Sequence, residues 1–236
     1  MTDTMLLRAL SALLKKDASN LFCLIHYGSH KRDADLDLLL LTRGPTTWNT
    51  CSFGRLDLAA MQFDHFACLA SMLDPMAIEP LLTGEVICGD RRQVKRLRAR
   101  VVVSKPADTT VRYLSGRAQE ELLAAQSFVK RYETEKESSF LLWALINLGY
   151  AFSYRLMSQH YASQPWRGPL TITRLIELKT SLEFSSLWAT IRRAKKYPSR
   201  LKVRTLQHYL NRWAVAFLPK KEKRERGGSL SLQNVT

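Results

Sequence analysis

The hydrophobic period of this chain changes once, near residue 90, and that change restricts the chain to a two-part architecture. Before it, short apolar runs are cut by Gly and Pro. Leu21–Tyr27 (LFCLIHY) stops at Gly28, residues 36–41 stop ahead of Gly44 and Pro45, residues 55–61 alternate, and residues 85–88 stop at Gly89. Runs of that length and composition predict strands. Helical stretches flank them. Residues 5–16 place Leu6, Leu7, Leu10, Leu13 and Leu14 on one face, residues 63–72 have a helical period, and Asp74-Pro75 reads as an N-cap followed by proline at the first helical position, opening a helix that ends near Gly84. Residues 91–100 (RRQVKRLRAR) are a basic segment, either a helix or a connector. From about residue 109 to 218 the period is helical throughout, predicting helices over 109–136, 138–162, 170–180, 183–196 and 201–218, with a break at 165–169. Leu122, Leu123, Gln126, Phe128 and Val129 are assigned to the core side of the first of these. Residues 140–154 are almost wholly apolar, as expected of a centrally buried helix. The expected fold class is α+β: a small mixed-sheet domain over 1–90, a basic connector over 91–108, an all-α helical bundle over 109–218, and a disordered basic tail over 219–236.

Charge divides at the same place. The first 90 residues hold seven Lys/Arg against eleven Asp/Glu, a balance of −4, and the rest holds 29 against ten, a balance of +19, which together make the net +15. A half this basic attracts polyanions such as RNA, nucleotide phosphates or an acidic protein partner; the plainer alternative is a solvated surface with a basic tail. Residues 91–100 and 192–196 (RRAKK) are the densest patches. The four cysteines, Cys23, Cys51, Cys68 and Cys88, form no C-x-x-C pair and read as buried free thiols, which suits a reducing, cytoplasmic compartment. No cleavage pattern follows the first apolar stretch, and no apolar run is of membrane-spanning length, so no membrane partner is expected.

The chemistry-bearing residues lie in the first part. Gly28-Ser29 follows a strand directly. Glycine lets backbone approach a phosphate closely, and the serine amide and hydroxyl can donate to it. Asp35 and Asp37 are two apart, so on a strand both carboxylates leave the same face while Leu36, Leu38 and Leu40 enter the core. Adjacent carboxylates repel unless a divalent cation lies between them, and Mg²⁺ favours one or two carboxylates together with phosphate oxygens. Asp57 lies on the next expected strand, where it can complete such a site. Taken alone, the Asp-x-Asp pair also reads as two solvent-facing carboxylates on an edge strand.

The order Tyr27-Gly28-Ser29 then Asp35-Leu36-Asp37 resembles the signature of the polymerase-β-like nucleotidyltransferase superfamily, in particular its minimal and aminoglycoside-type members. Leu56-Asp57-Leu58 resembles that family's third carboxylate position. Asp74-Pro75, Leu81-Leu82 and residues 84–89 resemble the helix and short strand that close these domains. The likeness covers residues 20–90. It implies that Asp35, Asp37 and Asp57 bind Mg²⁺ or Mn²⁺, that Asp57 can also take the acceptor's proton, that Gly28 and Ser29 hold the β/γ phosphates of a nucleoside triphosphate such as ATP, and that Lys31 or Arg32 assists them. The implied activity is transfer of a nucleoside monophosphate onto RNA, tRNA in particular, or onto a protein partner. Two features depart from the family pattern. Five residues, 30–34, separate Ser29 from Asp35 where the family has a longer glycine-containing connection, and Ala34 stands where a serine is frequent. They suit an alternative: a catalytically degenerate nucleic-acid-binding or regulatory protein of a toxin–antitoxin or defence system.

Arg155 and His160 have the R-x4-H spacing that resembles HEPN-type helical domains, many of them ribonucleases; a helix-end ion pair or cap is the plainer expectation. His26 is expected to pack within its strand, and His30 stands nearer the phosphate turn. Of Trp143, Trp166, Trp188 and Trp213, most are expected in the core, with Trp166 beside Arg167 available to stack on a base. Glu120, Glu121, Glu133, Glu135 and Glu137 are the acidic residues that a cationic acceptor would need.

Overall fold

In the computed structural model, which describes residues 18–28, 36–46, 50–53, 56–178 and 182–217, the apolar runs of the first part form strands Leu21–Tyr27 (β1), Leu36–Thr42 (β2), Leu56–Gln62 (β4) and Glu85–Gly89 (β5). A further strand, Thr50–Phe53 (β3), joins them in one sheet of order β3-β4-β2-β1-β5. The β2–β4 pair is parallel and every other pair antiparallel, so the sheet is mixed. Strand β3 has no counterpart among the sequence expectations. Its four residues, Thr-Cys-Ser-Phe, alternate but are too few to stand out, and its conformation comes from edge pairing with β4, Thr50 opposite Ala59 through Phe53 opposite Leu56.

One face of the sheet carries Leu24, Leu38, Leu40, Leu56, Leu58 and Ala60, all buried, with Leu21 and Leu36 packed against them. Burying each large aliphatic side chain contributes about 1.5–3 kcal/mol. Because strand side chains alternate, this row of even-numbered leucines sends Asp37 and Asp57 to the opposite face, which they share with buried Leu39 and Leu41. A one-residue slip would bury two carboxylates and expose the leucines, so the pattern fixes the register.

Among the described residues the first unit also holds three α-helices: Phe63–Ser71 (α1), Pro75–Thr83 (α2) and Arg91–Val103 (α3). Asp74 caps α2 as expected. Its carboxylate accepts from the Met76 amide at 2.9 Å, ahead of Pro75 in the first turn. The other end of α2 is closed by a residue from a distant segment: Arg98 Nε donates to the Leu81 carbonyl at 2.6 Å and its Nη2 to Gly84 at 2.9 Å, satisfying carbonyls that have no partner within the helix. Residues 91–103, for which helix and connector had both been open, are thus a helix packed into this unit through Val94, Leu97 and Val101. Residues within 1–107 and 165–172 make one unit, and those within 108–164 and 173–236 the other. The segment 165–172 is held to the first by the Ile172 amide, which donates to Glu79 Oε2 at 2.7 Å.

The described residues of the second unit form helices: Asp108–Glu135 (α4), Ser138–Ser163 (α5), Ile172–Glu177 (α6), Leu182–Lys196 (α7) and Val203–Phe217 (α8). Its core stripe on α4 is Leu114, Ala118, Leu122, Ala125 and Val129, spaced three and four apart. Leu123, expected on this side, is exposed because it lies about 100° round the helix from Leu122. Trp143 is likewise exposed, between the buried positions Leu141 and Ala144 of α5. Of the cysteines expected to be buried, Cys23 is, whereas Cys68 and Cys88 are exposed, the latter on edge strand β5. Contrary to the expectation that no run reaches spanning length, α5 is long and apolar enough to cross a membrane; α1 and α2 pass the same test as a pair but are bent by 100°. Of the apolar window in α5, 61% is buried, and α4, α7 and α8 pack on that helix, which accounts for its composition as a core helix. The helix expected over 5–16 and the tail over 219–236 lie outside the described residues.

Replacing Asp74 by alanine removes the cap of α2 and should lower stability to denaturant by about 1–2 kcal/mol, whereas Asp74→Asn, which keeps an acceptor, should lose less than half of that. Equal losses for the two variants in urea unfolding would show that the side chain does not act through the cap.

Candidate active site

The site follows from two registers. In the parallel pair, Leu36 lies beside Leu56, Asp37 beside Asp57 and Leu38 beside Leu58. Neighbouring strands are about 4.8 Å apart, so Asp37 and Asp57 leave one face of the sheet from adjacent backbone positions. In the antiparallel pair, Tyr27 lies opposite Asp37, which puts the end of β1 and the turn beginning at Gly28 against the same carboxylate.

Gly28 has φ +81°, and a Cβ built on it would stand 2.5 Å from Asp37 Oδ2 and 3.4 Å from Asp37 Cγ. The glycine is therefore required twice: for a left-handed backbone that L-residues adopt at a cost, and for the space that the Asp37 carboxyl occupies. The sequence reading assigned Gly28 to phosphate approach; its contact with Asp37 is an additional role. Tyr27, one residue ahead of Gly28, is the in-register neighbour of Asp37 on β1.

Of the expected site residues, Gly28, Asp37 and Asp57 come together at this end of the sheet. Ser29, Lys31, Arg32 and Asp35 lie outside the described residues, as does His30. Asp37 and Asp57 are both partly exposed, and both have interaction partners in the fold. Among the described residues no group of three or more His, Cys, Asp and Glu is gathered, so the carboxylate pair is what they contribute to a cation. Two oxygen donors on one face fit a hard ion such as Mg²⁺, which takes one or two carboxylates and completes its shell with phosphate oxygens and water.

Towards the other end of β1, Cys23 is fully buried, and its thiol is pushed up to about 12 by burial, with Cys88 and Asp90 adding to the effect. It is inert packing rather than a nucleophile. His26 pairs with Leu38 and Glu85 across the sheet, in keeping with a strand-packing role.

In the helical unit, Arg155 Nη1 donates to Ser115 Oγ at 2.9 Å, a contact between α5 and α4 rather than an ion pair or cap. His160, five residues on, lies about 140° further round the helix. Arg117 binds both Glu120 and Glu121 at 2.6 Å and stacks over the buried Tyr154 ring at 5.3 Å. Burial lowers the Arg117 pKa, but Tyr154, Glu120 and Glu121 outweigh it and hold the guanidinium above its ordinary value. Arg131 binds Glu135, and Ser139 donates to Glu137. These glutamates are paired locally along the helices rather than gathered for a cationic acceptor.

No family model and no curated protein matches this chain. Among solved structures, the chain is similar to a nucleotidyltransferase-like protein from Exiguobacterium sibiricum 255-15, at 13% sequence identity and a TM-score of 0.36, over 94% of this chain and 80% of that one. A likeness that slight bears no weight on function.

Gly28→Ala should destabilise the protein by about 1–2 kcal/mol from the backbone alone, with a further cost from the clash. In an Asp37→Ala background the clash vanishes, so the two substitutions should be non-additive, with Gly28→Ala costing less in that background. A double-mutant cycle by urea unfolding checks this, and strict additivity would contradict the contact.

Proposed function

We propose that this chain is a nucleotidyltransferase that moves a nucleoside monophosphate from a triphosphate, ATP for preference, onto a hydroxyl of RNA or of a protein partner. The observation that carries this reading is the in-register pair Asp37 and Asp57, on one face of the sheet, with the Gly28 turn against the Asp37 carboxyl. A face with two adjacent carboxylates at the mouth of a glycine turn suits a cation-bridged triphosphate better than it suits any neutral ligand.

In this reading Gly28 and Ser29 hold the β and γ phosphates, and Lys31 or Arg32 neutralises part of their charge. Asp35 and Asp37 anchor the divalent cation, with Asp57 beside them. A bound Mg²⁺ supplies Lewis-acid neutralisation at the triphosphate. Asp57 accepts the proton of the acceptor hydroxyl as its oxygen bonds to the α-phosphorus, and the bond from that phosphorus to the bridging oxygen breaks to release pyrophosphate. The 29 Lys/Arg beyond residue 90 favour a polyanionic acceptor, because a cationic one would meet that field with repulsion. Free thiols at Cys23, Cys68 and Cys88 suit the reducing cytoplasm.

The protein incubated with α-³²P-labelled triphosphates, Mg²⁺, tRNA and cell lysate should place label in RNA or in a protein band. Asp35→Ala and Asp37→Asn should each reduce that labelling by about a thousandfold, the scale of removing a group that stabilises transition-state charge. Label in neither acceptor, or undiminished label from Asp37→Asn, would contradict the assignment.

A further inference from the structure

Helix α3 carries six cations, Arg91, Arg92, Lys95, Arg96, Arg98 and Arg100, and no carboxylate. They do not act alike. Arg98 is committed to the end of α2. Arg91, Arg92, Lys95 and Arg96 are exposed and, with Ala99, form one shallow, widely open face of the helix. Among the described residues no carboxylate lies within ion-pair distance of Arg92, Lys95 or Arg96. Like charges this close repel, and a surface that keeps them unpaired favours an anion that neutralises several at once.

We propose that this face of α3 is a phosphate track that holds the sugar–phosphate backbone of a nucleic-acid strand, which serves as the acceptor of the site at Gly28, Asp37 and Asp57; the acceptor role rests on the proposed transfer activity, the binding does not. The cations fall in two pairs, Arg91 with Arg92 and Lys95 with Arg96, one turn apart. Four residues of helix rise about 6 Å, a regular step that matches a polymer with evenly spaced anions better than scattered carboxylates on a folded partner. Three of the four are arginines, whose planar forks engage phosphate oxygens bidentately. Ala99 continues the Arg91–Lys95 line with a side chain small enough to let a strand lie close.

The direction of the helix connects this track to the site. Helix α3 starts after Gly89, which pairs with Cys23 on β1. By Arg98 it has come back to Gly84, which packs against Ile25 and His26 near the other end of that strand. The helix therefore runs along the sheet towards the end that carries Gly28, and a strand lying on its basic face is led the same way.

The test measures binding of the full chain to fluorescent single-stranded RNA and DNA of equal length by anisotropy, without nucleotide or Mg²⁺. One variant carries Arg91→Gln, Arg92→Gln, Lys95→Gln and Arg96→Gln. A control with the same charge change carries Arg192→Gln, Arg193→Gln, Lys195→Gln and Lys196→Gln on α7. The α3 variant should bind at least about tenfold more weakly at 0.15 M salt, and its slope of log affinity against log salt should flatten by about 3, four phosphate contacts at about 0.7 each. The control should lose less than about threefold. Tighter binding of RNA would identify RNA as the source of the strand, and equal binding would identify the backbone alone; either upholds the track. Equal losses from both variants would overturn it in favour of net charge. Displacement of the strand by polyglutamate of equal charge would overturn it in favour of an acidic protein. Matching far-UV circular dichroism shows that the variants are folded. Because no nucleotide is present, this result can fail while labelling by the wild type stands, and labelling can fail while binding stands.

Discussion

The parallel pairing of β2 with β4 is the constraint from which the rest of the site follows. It aligns Leu38 with Leu58 on the buried face and Asp37 with Asp57 on the other, so the core and the carboxylate pair are specified by one set of backbone hydrogen bonds. Had these strands met one residue out of register, two carboxylates would face the leucine cluster. The desolvation penalty for unpaired charges there would exceed what the leucines contribute. The acidic pair thus occupies a position that the hydrophobic core itself enforces.

That arrangement also explains which features could be read from the residues alone. Strands β1, β2 and β4 were legible because their apolar runs are long or alternating, with glycine at or shortly after the ends of β1 and β2. The α2 cap was legible because Asp74-Pro75 acts within its own turn. Strand β3 was not, since its conformation is borrowed from β4 by edge pairing. The adjacency of Asp37 and Asp57 depends on strand order, which no local period encodes; the place of Asp57 on the next expected strand and the family resemblance both pointed to it. The contact of Gly28 with the Asp37 carboxyl, and the closure of α2 by Arg98 from a helix later in the chain, arise from tertiary pairing and leave no local trace. Cys68 and Cys88, expected to be buried, are exposed, and two further misassigned positions share one origin. Leu123 and Trp143 are apolar residues just off a core stripe, where composition suggests burial and helical geometry turns the side chain outward.

Charge is distributed to match this division of labour. The sheet end sets Asp37 beside Asp57 on one face, and the basic residues are concentrated from α3 onward. In the helical unit some arginines are paired in place: Arg117 with Glu120 and Glu121, Arg131 with Glu135, Arg174 with Glu177 and Arg212 with Glu183. The exposed pairs among these contribute little stability, yet they reduce local fields. On α3 no ion pair among the described residues offsets Arg92, Lys95 or Arg96.

The central claim is that Asp37 and Asp57 together hold a divalent cation with a triphosphate. It is tested most directly by counting bound Mn²⁺ by electron paramagnetic resonance, with a non-hydrolysable triphosphate present, in the wild type and in Asp37→Asn and Asp57→Asn. The account predicts Mn²⁺ bound in fixed proportion to the wild-type protein, with each substitution weakening it by at least about tenfold, the loss of one carboxylate donor. Unchanged Mn²⁺ binding in either variant would contradict it.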